Sequence, residues 1–199
     1  MFPPVDGCSR DADVCSRRVG RTRSKVLRLP STAPGKSSRF LLWPLSCQGE
    51  NHLPGNAWSN PRETENGRDD DRDGYADDLR GWDFVAQAGG VTDPNGHGTA
   101  VAGIIAAEGD NGVGVAGVMW RASLMSLRVL DGTGAGDVAA AVEAIDYAVA
   151  HGASVVNVSW GTGGHSRSLR DAVWRAGRRG VLVVCSAGNS GRSVDSEPY

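Results

Sequence analysis

Ser154-Val155-Val156-Asn157-Val158-Ser159 is rich in β-branched side chains and reads as a strand. Upstream of it, Val138, Val142, Ile145 and Val149 recur at helical spacing, with Asp137 placed to cap that helix and Gly152 to stop it. Before that helix, residues 124–129 read as another strand. Downstream, residues 169–176 read as a second helix that ends near Gly177 and Gly180. Val181-Leu182-Val183-Val184-Cys185 then reads as a strand covered on both faces. Strand, helix, strand, helix, strand in this order predicts right-handed crossovers and a parallel sheet, hence an α/β fold. Ligands of such sheets bind outside the carboxyl ends of the strands. Residues 130–136, 159–164 and 186–191 fall there, and all three stretches are rich in Gly, Ser and Asn. Farther upstream, residues 98–107 are small and apolar, which suits a helix packed closely inside a core.

The chain has 199 residues and a net charge of −2, with 40% apolar and 22% charged side chains. That composition fits a globular protein and gives no reason to expect nucleic acid. No run approaches the roughly 18 apolar residues of a membrane span, so no membrane partner is expected. The charge is unevenly spread: residues 1–60 hold nine basic and four acidic groups, and the remainder is acidic. Residues 1–39 show no periodicity and are interrupted by Pro3, Pro4, Pro30 and Pro34, as in a disordered tail. The early cysteines, Cys8, Cys15 and Cys47, lack paired spacing, so no zinc site is expected of them. The apolar run 40–43 is short of the roughly 7–15 residues of a signal-peptide core, which leaves the compartment open.

Three segments carry chemistry. They are Asn95-Gly96-His97-Gly98-Thr99, Val156-Asn157-Val158-Ser159-Trp160-Gly161, and Ser186-Ala187-Gly188-Asn189-Ser190-Gly191. Alone, Gly-His-Gly is a surface histidine at a helix start, and Gly-Asn-Ser-Gly is an ordinary turn. Together, in this order and on this frame, they resemble the subtilisin-like serine proteases (subtilases) from about Asn56 to Gly191. The resemblance implies a three-layer fold around a central, mostly parallel sheet, cut short at its C-terminal side. It implies that His97 takes the proton of a serine nucleophile and that the Asn189 amide donates to the oxyanion. It also implies that an extended polypeptide lies between two rims. Ser159, Trp160 and Gly161 form one rim, and residues 132–136, with Gly132 and Gly134, form the other.

The acidic run Asp69-Asp70-Asp71-Arg72-Asp73-Gly74 places Asp69, Asp71, Asp73 and Gly74 at positions 1, 3, 5 and 6 of a calcium-loop pattern. Asp77 is a further candidate ligand. Position 12 is Arg80 rather than Glu, so calcium and a merely solvated acidic loop both remain open. Some subtilases carry a similar insert before a Gly-Trp-Asp-Phe segment, here residues 81–84. Gly112-Val113-Gly114-Val115-Ala116-Gly117 satisfies a dinucleotide fingerprint, but the strand follows it instead of preceding it, so it reads as a connection.

Two departures from the family follow. Its nucleophile sits in a Gly-Thr-Ser-Met-Ala context, and no serine of this chain has that setting. Its aspartate ends the first core strand, which here corresponds to Phe40-Leu41-Leu42, and no acid lies near Trp43. The chain therefore divides into residues 1–52, a basic segment foreign to the family, and residues 53–199, a partial catalytic domain. The whole chain has two lysines against 19 arginines, as from a GC-rich gene, and the abrupt shift to Arg, Ser, Pro and Cys in residues 1–52 has the character of a shifted frame or misplaced gene start. The expectation is a serine endopeptidase by descent that is inactive as written. The alternative is a non-catalytic remnant that binds peptide or calcium.

Overall fold

The computed structural model describes residues 39–42, 53–162, 164–189 and 191. Its elements are β1 (Arg39–Leu42), a 3-10 turn at Pro54–Asn56, β2 (Gly81–Asp83), α1 (His97–Ala106), β3 (Ser123–Arg128), α2 (Val138–Ala150), β4 (Val155–Val158), α3 (Arg167–Arg178) and β5 (Leu182–Cys185). The strands form one sheet in the order β2-β3-β1-β4-β5, and every pairing is parallel. β1 lies between β3 and β4, with Phe40 opposite both Leu124 and Val155. Among residues 1–52, these four are the ones the structure describes; the proposed foreign character of the rest lies outside the described residues.

Alternation along β3 sorts the core into two clusters. Met125 and Leu127 pack with Ile145, Ala148, Ala172 and Ala176 of α2 and α3. Leu124 packs with Ala102 and Ala106 of α1 and with Leu53. Helices therefore lie on both faces of the sheet, giving three layers. The small residues of α1 matter here, because they allow a helix to lie close against the sheet. The sequence-based cap of α2 forms as expected: Asp137 accepts from the Ala139 amide at 2.8 Å. Ser166 does the same for α3 through the Leu169 amide.

The strand 182–185 differs from its expected setting. It lies at the sheet edge, pairs with β4, and leaves Leu182 53% and Val184 45% exposed. Val181 and Val183 reach the core cluster, whereas the opposite face of β5 has no described helix against it. Apolar content alone could not distinguish a strand covered on two faces from one covered on one. The glycine-rich stretch 112–117 is a connection, as read. Gly117 passes so close to the end of α1 that a Cβ there would lie 2.4 Å from the Ala107 nitrogen.

Candidate active site

Because the strands are parallel, the loops after β3, β4 and β5 open at one edge of the sheet. α1 begins at the same edge. Its N-cap, Gly96, has φ +83° and no side chain to cap with. Asp93 supplies the cap from outside the helix. Its Oδ1 accepts from the Gly96 amide at 2.8 Å, and its Oδ2 accepts from both the amide and the hydroxyl of Thr99 at 2.8 Å. His97 is thereby held as the exposed first residue of a fixed helix. Asn95 reaches across to donate to the Gly132 carbonyl at 3.3 Å, tying the histidine loop to the loop after β3.

That loop is a tight turn. Asp131 Oδ1 accepts from the Thr133 amide and hydroxyl and from the Ala135 amide. These bonds, the Thr133 hydroxyl first, hold the Asp131 carboxyl below the usual range. Leu130 and Gly136 bridge across the turn's base, where a Cβ on Gly136 would lie 2.3 Å from the Val129 carbonyl. The turn and the segment after β4 enclose a cleft of about 350 Å³, lined by Val129, Leu130, Gly134, Gly136, Trp160 and Gly161 among others. The structure thus brings Gly134, Trp160 and Gly161 to one cleft. Gly132 lies outside it against Pro94, and Ser159 accepts a hydrogen bond from Asn157 at 2.8 Å. Asn189 is exposed in the loop after β5, where Ser186 still donates to Val158 and carries the ladder one residue beyond the strand. Beneath the edge, buried Asp83 pairs with Arg128 at 2.9 Å, and Arg128 Nε donates to the Leu130 carbonyl.

The acidic insert packs beside α2. Glu63 is buried, and its carboxylate accepts from the amides of Asp70, Asp71 and Asp77. Asp69 accepts from the amides of Asp73 and Gly74, which closes the sharp turn expected of a calcium loop. Carboxylate oxygens of Glu63, Asp69 and Asp71 lie within 4.8 Å of one another; a second group joins Asp71, Asp73 and His151. Asp77 belongs to neither group, because its carboxylate accepts from the amides of Asn66 and Gly67. Asp78 is fully buried, accepting from Tyr147 Oη and, at 2.7 Å, from Asn60 Nδ2. Burial pushes both Asp73 and Asp78 above the ordinary carboxylate value, and the neighbouring charge of Asp71 adds to this.

Sequence reading missed Asp93, Glu63, Asp78 and His151. Asp93 had a signal, since Asp-Pro-Asn-Gly before a helix is turn and cap chemistry. Glu63 and His151 had none, because folding alone brings them to the insert.

Residues 22–198 match the profile described as the Subtilase family. The chain is 42% identical over 120 residues to the thermophilic serine proteinase of Bacillus sp. (strain AK1), covering 60% of this chain and 30% of that protein. It is 41% identical over 120 residues to thermitase of Thermoactinomyces vulgaris, covering 60% of this chain and 43% of that one. Among solved structures, a cold adapted subtilisin-like serine proteinase matches with a TM-score of 0.57 at 28% identity, covering 78% of this chain and 47% of that chain. The chain belongs to the subtilase family. It spans less than half the length of these relatives. No helix among the described residues is long and apolar enough to cross a membrane.

Proposed function

We propose that this chain supplies the substrate-holding and proton-moving part of a serine endopeptidase site. The observation that carries this reading is the cleft shared by Gly134, Gly136, Trp160 and Gly161, with the His97 loop bonded to its rim. An extended polypeptide lies between the two rims as an added strand, with one side chain in the cleft. His97 accepts the proton of the attacking serine and returns it to the leaving amine. Asn189 donates to the oxyanion as it forms. The full reaction is acyl transfer to serine followed by hydrolysis. No serine of residues 1–199 has the nucleophile's setting and no acid follows β1 closely, so this chain alone binds peptide without cleaving it.

Titrating the chain with extended peptides tests the reading. Saturable binding that Trp160→Ala weakens is expected. Hydrolysis blocked by a serine-directed inhibitor would overturn the inactivity, and no binding at millimolar peptide would overturn the groove.

The insert is assigned a calcium ion, held by Glu63, Asp69 and Asp71. The donor set supports it: three carboxylates grouped tightly offer a hard, all-oxygen site. Calcium there neutralises the crowded charge and fixes the loop. A melting temperature unmoved by millimolar calcium would remove this assignment.

A further inference from the structure

The insert's second group contains a nitrogen donor, which an all-oxygen calcium site does not use. His151 is the buried C-cap residue of α2. Its Nδ1 lies 2.8 Å from the Tyr147 carbonyl, which can only accept, so Nδ1 carries a hydrogen. Its ring stacks on Tyr147 at 4.0 Å and meets Trp58 edge-on, which fixes its plane. Nε2 therefore faces the insert, 2.9 Å from Asp73 Oδ2 and 3.8 Å from Asp78 Oδ2. Asp71 completes the group. Its side chain is only 3% exposed. Arg62 and Asn60 occupy its Oδ2, and its buried Oδ1 has no hydrogen-bond partner. A desolvated carboxylate oxygen left without a donor needs a cation.

We propose that Asp71, Asp73 and His151 bind a borderline divalent transition metal of the zinc class. Two carboxylates and one imidazole suit such an ion better than calcium. An imidazole whose far N–H is anchored on a backbone carbonyl is the usual orienting arrangement for a metal-bound histidine. Asp78, held by Tyr147 and Asn60, stands behind the site as a third carboxylate. The metal would brace the insert against the end of α2, a few residues ahead of β4 and the Ser159–Trp160–Gly161 rim. The site shares Asp71 with the calcium assignment but does not depend on it.

The test is calorimetric titration of the chelator-stripped full chain with zinc, with and without saturating calcium. His151→Gln is expected to weaken one zinc equivalent at least about tenfold and to leave calcium affinity unchanged. Asp69→Asn is expected to do the reverse. A background carrying Cys8→Ser, Cys15→Ser, Cys47→Ser, Cys185→Ser, His52→Gln, His97→Gln and His165→Gln leaves His151 as the sole imidazole and no thiol. Copper bound to it should show one nitrogen coupling by electron paramagnetic resonance, a readout that does not depend on the His151 variant folding. The proposal is overturned by zinc binding that His151→Gln leaves unaltered, by the absence of nitrogen coupling, or by complete displacement of zinc by calcium. The last result points to a single oxygen site, with a proton rather than a metal joining His151 to Asp73. Zinc binding without calcium binding would remove only the calcium assignment.

Discussion

At the edge where residues 130–136 and 159–161 meet, the polar side chains sit at the surface and serve the backbone. Asp131 and Asp93 shape a turn and a helix start with hydrogen bonds to nearby amides. In the insert, by contrast, carboxylates are driven inward: Glu63 and Asp78 are buried and Asp71 nearly so. The first arrangement is complete in itself and leaves an open cleft. The second concentrates negative charge in a poorly solvated place, where backbone amides, Asn60, Tyr147 and Arg62 offset only part of it. Shape is built at the edge and charge is stored in the insert, so the two regions should respond to different perturbations.

The largest expected effect lies beneath the edge. Asp83→Ala leaves the partly buried Arg128 guanidinium without its carboxylate partner and should cost about 3–5 kcal/mol, read by denaturant unfolding. A loss under 1 kcal/mol would mean that water reaches Arg128 readily. Next comes the insert. Calcium at a hundredfold excess over its Kd should add about 2.7 kcal/mol to stability, and Asp69→Asn should abolish that gain. An equal gain in the variant would place the ion elsewhere. Asp93→Ala should cost about 1–2 kcal/mol through the lost cap and should weaken peptide binding with it. Stability loss without loss of binding would separate the cap from the groove.

The smallest effect is a slope. Asp73 and Asp78 hold protons more tightly in the folded chain than in the unfolded one, because burial raises both. Their contribution is thus fully present below the ordinary carboxylate value of about 3.8 and is lost as pH rises through the folded values. Metal-free chain should lose stability over that window, and Asp73→Asn should flatten the slope. A rise in stability there that the variant leaves unchanged would show that other carboxylates dominate.

Much of the frame was legible because its signals are local. The strand at 124–129, the helical spacing of 138–149 and the cap at Asp137 are set by neighbours a few residues apart. The two segments that border the cleft were legible in the same way, as glycine-rich stretches that follow strands. Two features escaped. The exposure of Leu182 and Val184 depends on β5 lying at the edge, which strand order decides and composition does not. The insert's donors escaped because Glu63 is six residues ahead of the acidic run and His151 is 73 residues beyond Asp78.

By itself, the sequence determined the class of fold, the places where the chain turns, and the family its motifs resemble. These follow from backbone preference and side-chain period, which act over a few residues. Only the tertiary structure decided that Gly134 and Trp160 share one cleft while Gly132 stands outside it. It also decided that Asp71 can face an imidazole as well as other carboxylates, and that Asp77 spends its oxygens on amides. Burial, unlike periodicity, belongs to the whole packed chain, and it gathers carboxylates of an acidic run around a distant imidazole.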